Sequence, residues 1–245
     1  MHGKVRIEQM TPDELQETIQ HRPIMYVPCG LIEWHGKHLP LGLDGLKTHA
    51  TLMGCVRRTG GAILPINWIG APGYGAFCGT MCYPIEFVAE LLQRTLGQCA
   101  KLGARVIALI TGHYGAAQKE AIRRAVEAFR AAHPDVLVLA RPEFEGVQVD
   151  GQVPGDHAGK WETSVSLAHF PELVQMDRHA PGEEPIHRYS DAHAEWPEER
   201  VPWVWREDLR ETSSRELGEV AVAAVQDSIV KAVRELCRQA GVACG

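Results

Sequence analysis

Three short runs of the chain concentrate side chains that bind metals and move protons. In "GLIEWHGKHLPLGLDG", residues 30–45, Glu33, His35, His38 and Asp44 stand close together among Leu, Ile, Trp and Pro. A Glu-x-His pair in extended backbone places both side chains on one face, because side chains alternate with period two. Asp44 can fold back on them through the turn from Gly36 to Gly42. Carboxylate, imidazole and carboxylate suit zinc, manganese or iron, and one carboxylate can bridge two ions. The same residues have a plain structural reading, with Glu33 and His35 bonding loop backbone and Asp44 capping the helix that follows. In "ITGHYGAAQ" (110–118) His113 lies between glycines, past an apolar run. In "GDHAGKWETS" (155–164) His157 occupies a glycine-flanked turn, and Glu162 opens a helix whose dipole favours a carboxylate in any case.

The elements that must position these residues are legible as alternating patterns. Thr11-Pro12-Asp13-Glu14 is a capping box with proline in the first turn, which predicts a short helix to about His21. The apolar runs "PIMYVPCG" (23–30), "GAILPINW" (61–68), "ARVIALITG" (104–112) and "DVLVLARP" (135–142) predict buried strands. Helical spacing covers Asp44 to Arg58, Pro84 to Leu102, Ala116 to His133, Trp161 to His169 and Ser214 to Ala240. Strand and helix alternate, which argues for an α/β fold with a parallel sheet covered on both faces. Ligands of such sheets collect beyond the carboxyl ends of the strands. Glu33 and His35 follow the first strand and His113 the third, so they share an edge. Arg178 to Arg210, rich in Pro, Glu and His, reads as a long irregular excursion carrying Trp203 and Trp205, of the kind used as a lid or a subunit contact.

The composition narrows the partners. At 245 residues and 45% apolar content the chain can bury a real core and is read as one domain, 1–245. A formal net charge of −6 offers no basic footprint, which argues against nucleic acid and anionic membranes and for a small-molecule ligand. No run approaches the ~20 apolar residues of a spanning helix, and the first residues lack the apolar core of a signal peptide, so the expectation is a cytoplasmic protein. The 7 cysteines are scattered, with only Cys78 and Cys82 close, and are expected as reduced thiols.

Taken together, the three runs resemble the signature blocks of the creatininase family of metal-dependent amidohydrolases. "VPCGLIEWHGKHLPLGLD" (27–44) is similar to its first block, "TGHYGA" (111–116) to its second and "HAGKWETSVSL" (157–167) to its third. "PINWIGAPGYGAFCGTMCYP" (65–84), with Gly79-Thr80, resembles the loop on the substrate side, and "SRELGEVAVAAV" (214–225) the C-terminal helix. The resemblance implies a three-layer αβα sandwich with a mostly parallel central sheet, commonly assembled as a hexamer, holding two divalent metal ions. It implies Glu33, His35, Asp44, His113 and Glu162 as metal ligands with Asp44 the bridge, and His157 as the acid/base residue. Zinc is the first expectation, with manganese and iron as alternatives.

The implied activity is hydrolysis of a C–N bond in a small, cyclic amide, by water activated at the metal centre. A deformylase, a peptidase or a sugar or lactone ring opener would use the same site with a differently shaped pocket. From another class, the chain could be a non-catalytic metal-binding subunit of an assembly. Tyr114, Trp161, Thr80 and Lys37 are candidate substrate contacts. The chain departs from the family pattern where Gly115 replaces a carboxylate of creatininase itself, where Thr111 and Ala116 replace two asparagines, and where Lys37 replaces a proline. These departures leave Glu162 to supply a ligand and set creatinine itself in doubt as the substrate.

Overall fold

The computed structural model describes residues 4–186, 188 and 202–245. Four strands form the central sheet: β1 (Ile24–Cys29), β2 (Ala62–Ile63), β3 (Val106–Thr111) and β4 (Leu137–Pro142). Their order is β2-β1-β3-β4 and every pairing is parallel. Period-two alternation divides β1 and β3 between two cores. Met25, Val27, Ile107 and Leu109 pack beneath α3 (Ile85–Lys101) and α4 (Ala116–Ala132). Ile24, Tyr26, Val106, Ala108 and Ile110 pack beneath α2 (Leu43–Thr59) and α7 (Arg215–Ala240). The result is the expected three-layer αβα sandwich with a parallel sheet.

The helices follow the sequence signals to within a residue or so. α1 (Pro12–His21) carries both bonds of the capping box, Glu14 N–H to Thr11 Oγ1 at 3.3 Å and Thr11 N–H to Glu14 Oε2 at 2.7 Å. Ser214 caps α7, its hydroxyl accepting from Leu217 N–H, and Gly241 closes that helix in the left-handed conformation. α5 (Lys160–His169) lies against α7, and a single turn, α6 (Leu209–Thr212), precedes α7.

The second strand is shorter than expected, two residues rather than eight. Leu64 N–H and Asn67 N–H still reach β1 carbonyls, at Tyr26 and Pro28. Between them Pro65 has no amide to give, and the Asn67 side chain bonds Ile69 N–H and C=O, which turns the chain out of the ladder. Within 178–210, β5 (Gly182–Glu184) and β6 (Trp203–Trp205) pair as an antiparallel ribbon; residues 187 and 189–201 lie outside those described. Among the described residues no helix is long and apolar enough to cross a membrane. All seven cysteines are free thiols.

Candidate metal centre

The carboxyl edge of the sheet is where the three runs meet. β1 delivers Glu33 and His35 in a loop pinned by Glu33 N–H to Leu41 C=O at 2.9 Å and Met81 N–H to Ile32 C=O at 2.8 Å. Asp44 sits in the first turn of α2, buried, and forms no cap; the plain capping role is not the one it plays. α2 presses onto the end of β3 so closely that a Cβ on Gly112 would lie 2.2 Å from the Asp44 carbonyl oxygen. That contact brings Asp44 to His113. A second close approach occurs at Gly73, where a Cβ would lie 2.0 Å from Glu33 Oε1; the next amide, Tyr74 N–H, donates to that same oxygen at 2.8 Å.

Two donor sets result, and they share one residue. Glu33, Asp44 and His113 form the first and His35, Asp44 and Glu162 the second, with the candidate ligand atoms of each set within 4.8 Å of one another. His113 Nδ1 is 3.1 Å from Glu33 Oε2 and 3.5 Å from Asp44 Oδ2. His35 Nε2 is 3.3 Å from Asp44 Oδ1 and 3.6 Å from Glu162 Oε2. Glu33, His35 and His157 form a third grouping of the same kind.

Each imidazole is oriented by its other nitrogen. His35 Nδ1 bonds the Glu33 carbonyl at 3.1 Å, His113 Nε2 the Ala71 carbonyl at 3.1 Å, and His157 Nε2 the Trp34 carbonyl at 2.8 Å. A carbonyl only accepts, so each of these nitrogens donates, and in the neutral ring the opposite nitrogen turns a lone pair towards the carboxylates. His35 Nε2 and Asp44 Oδ2 are buried without a hydrogen-bond partner. Lone pairs facing carboxylates at this spacing repel unless a cation lies between them, and N and O donors in such an array fit a divalent metal.

The electrostatics point the same way. Burial opposes charge on Glu33 and Asp44, yet His113 and His35 hold both below the usual carboxylate range, Asp44 well below it. Burial likewise opposes charge on the imidazoles, but Asp44 and Glu162 lift His35 to about 9, and Glu33 and Asp44 lift His113 to about 10. The site demands positive charge, as protons or as metal. His157 goes the other way: burial, then His35, push it below the ordinary imidazole value.

A layer of supporting groups was not picked out from the sequence. Lys47, fully buried on α2, reaches Glu143 Oε1 at 2.5 Å, the Gly112 carbonyl at 2.9 Å and Glu162 Oε1 at 3.1 Å. Burial favours the neutral amine, but Glu143, Glu162 and Asp44 keep it an ammonium. Asp156 accepts Trp161 N–H at 2.8 Å and Glu162 N–H at 3.1 Å, fixing the start of α5. Burial, then the neighbouring Glu162, raise its carboxyl to about 6. The available signal was spacing: Lys47 is three residues after Asp44 and therefore on the same helical face.

The centre opens into a cavity of about 330 Å³, lined by Glu33, Asp44, His113, Glu162 and His157 and by Pro72, Tyr74, Gly115 and Ala116. Of the four candidate substrate contacts, Tyr114 alone lines it, and its single hydroxyl proton is shared between Asp156 C=O and Glu162 Oε1. Trp161 packs with Val149, Val165 and Ala221, because the first turn of α5 turns it towards α7. Thr80 is buried, its hydroxyl accepting from Trp34 N–H at 3.1 Å, so it shapes the loop. Lys37 is exposed and lies off the cavity wall, as expected of a lysine stem that can reach water. His38 bonds Thr163 Oγ1 at 3.0 Å and stands outside both donor sets. Tyr74, unremarked in the sequence, stands 4.4 Å from the His157 ring, and Trp203 5.6 Å from it, in an aromatic cluster with Trp34 and Trp205.

Comparison with known proteins identifies a family. Residues 8–233 match the family model described as "Creatininase: Creatinine amidohydrolase". The chain is 28% identical over 235 residues to a creatinine amidohydrolase of Pseudomonas putida, covering 86% of this chain and 89% of that protein. It is 34% identical to a mycofactocin precursor peptide peptidase of Mycobacterium ulcerans over 65% of this chain and 64% of the relative. A solved mutant creatininase of Zn-Zn type superposes with a TM-score of 0.74 at 25% identity, covering 95% of this chain and 98% of that one. Sequence, fold and comparison converge: the chain belongs to the creatininase family.

Proposed function

We propose that the protein is a dinuclear metal-dependent amidohydrolase that cleaves the C–N bond of a small, cyclic amide. The observation that carries the reading is the pair of donor sets sharing Asp44, each histidine aimed by a backbone carbonyl. Glu33, Asp44 and His113 would hold one divalent ion, and His35, Asp44 and Glu162 the other. Zinc is the first choice on donor chemistry, and the Zn-Zn form of the related creatininase supports it. When bound, such ions supply Lewis-acid activation of an attacking water and of the scissile carbonyl.

The remaining steps belong to the chain. Water adds to the carbonyl carbon, the C–N bond breaks, and the leaving nitrogen takes a proton. His157 manages that proton at Nδ1, since Nε2–H is committed to the Trp34 carbonyl. Its lowered affinity for protons keeps it neutral and able to accept one at neutral pH. Tyr74, beside the His157 ring, walls the cavity and limits water around the transfer.

A second substrate class, a peptide amide, is favoured by one feature: Gly115 and Ala116 put no more than a methyl group on the wall beside His113, which leaves room for an extended substrate. The identity to the peptidase supports it. We assign the working unit to an assembly of several copies, six by resemblance, consistent with exposed Leu41, Met81, Phe87 and Val204. The deciding experiment offers the metal-replete protein cyclic ureides, lactams, formamides and short peptides and follows product mass. A gain of one water on one class supports the reading. No turnover on any class, with metal content verified, favours a non-catalytic metal-binding subunit.

A further inference from the structure

Ala71, on the loop that follows β2, is gripped on both sides. Its carbonyl accepts His113 Nε2–H at 3.1 Å, and its N–H donates to Gln118 Oε1 at 2.8 Å. Gln118 is fully buried in the first turn of α4. Its Nε2 donates to Thr111 Oγ1 at 3.4 Å, and that hydroxyl donates in turn to the His113 carbonyl at 2.5 Å. The carboxamide therefore has one orientation, oxygen to the loop and nitrogen to the end of β3. A buried carboxamide is costly unless it is hydrogen-bonded, and these bonds hold it. Three residues beyond Ala71, Tyr74 N–H donates to Glu33 Oε1. The same loop thus aims His113 through Ala71 and holds Glu33 through Tyr74. Thr111 and Ala116, the positions that depart from asparagine, bring no amide side chain to this junction; Gln118 brings one from α4.

We infer that Gln118 is a positioning residue for the candidate metal centre: its carboxamide ties loop 71–74 to the end of β3 and so sets where His113 and Glu33 stand. The inference rests on the dinuclear reading above. Without the amide, Ala71 N–H is buried with no acceptor, and the loop must shift to reach one. The Ala71 carbonyl moves with it and leaves the His113 ring free to turn about its Cβ–Cγ bond. Tyr74 N–H moves off Glu33 in the same displacement. Glu33 and His113 belong to one donor set, so the effect is felt there and not at His35 or Glu162.

A double-mutant cycle on the whole protein tests this: Gln118→Met and His113→Ala, alone and together, read by zinc competition against a chromophoric chelator, with folding followed by circular dichroism. Gln118→Met is expected to weaken one zinc equivalent by about 10- to 100-fold. In the His113→Ala background, where that equivalent is already lost, adding Gln118→Met changes the remaining one by less than about threefold. A residue that merely supports the fold would weaken the remaining equivalent as well, and that result overturns the inference. Thr111→Val, which removes the hydroxyl that Gln118 Nε2 reaches and keeps the shape of the strand, gives a second reading if Gln118→Met does not fold. It is expected to weaken the same equivalent by about threefold or more. Hydrogen exchange on zinc-free protein reads the loop directly, and the 71–74 amides are expected to exchange about fivefold faster in Gln118→Met. Unchanged loop exchange, or wild-type zinc binding in a folded Gln118→Met protein, overturns this inference and leaves the dinuclear reading standing. No zinc bound by wild type defeats the dinuclear reading and this inference with it.

Discussion

At the scale of single residues, His157 and Gly73 make the sharpest claims. His157 touches the donor sets without being needed to complete either of the two that share Asp44. His157→Ala is expected to lower turnover by ~10² to 10⁴ while bound metal stays at the wild-type level, measured by steady-state rates beside elemental analysis. Equal loss of metal would make it a ligand instead. Gly73 makes room for a carboxylate: any Cβ there meets Glu33 Oε1. Gly73→Ala should displace Glu33 and weaken the first metal position by at least about tenfold, read by chelator competition, with little change in secondary structure. The candidate donors Glu33, His35, Asp44, His113 and Glu162, and His157 beside them, were legible because they lie in the three runs that resemble the family's blocks. Lys47, Glu143 and Asp156 were not, because their roles depend on burial and on tertiary partners: Lys47 pairs with Glu143 across 96 residues, which its spacing from Asp44 does not reveal.

At the scale of elements, the site depends on how three strand-to-helix connections end. β1 and β3 finish side by side, Cys29 opposite Thr111, so the loops after them emerge together. α5 then enters with its first turn held by Asp156. Asp156→Ala removes both amide bonds and should cost about 1 kcal/mol in thermal or denaturant unfolding. It should also weaken the Glu162 side of the centre more than the Glu33 side, a split a purely global destabilisation would not produce. The strands and long helices were readable because apolar runs and 3.6-residue periodicity are local signals. β2 was overestimated because the apolar content of 61–68 hid the break at Pro65 and the Asn67 turn. The β5–β6 ribbon was missed because its strands are three residues each and are held by packing of Trp203 and Trp205 against Trp34.

At the scale of the whole molecule, the buried charges tie stability to pH and to metal. His35 and His113, raised to about 9 and about 10 from the ordinary value near 6.5, stabilise the metal-free fold fully below about pH 6.5. That contribution is lost as pH climbs through 9 to 10. Glu33 and Asp44, depressed, contribute above their ordinary range near 4 and lose that contribution as pH falls below it. The melting temperature of chelator-treated protein is therefore expected to fall between pH 7 and 10. Metal requires unprotonated imidazoles, so the rise in melting temperature on adding zinc should grow over the same interval, with protons released on binding. A metal-free protein whose stability is flat from pH 7 to 10 would contradict the proposed charge arrangement. The central claim is that Asp44 joins two metal positions. It is tested most directly by equilibrium zinc titration of Asp44→Ala beside wild type, His113→Ala and Glu162→Ala. Wild type should bind two equivalents, the His113 and Glu162 variants should each lose one, and Asp44→Ala should weaken both together. A folded Asp44→Ala protein that keeps one equivalent at wild-type affinity would contradict the shared-ligand centre.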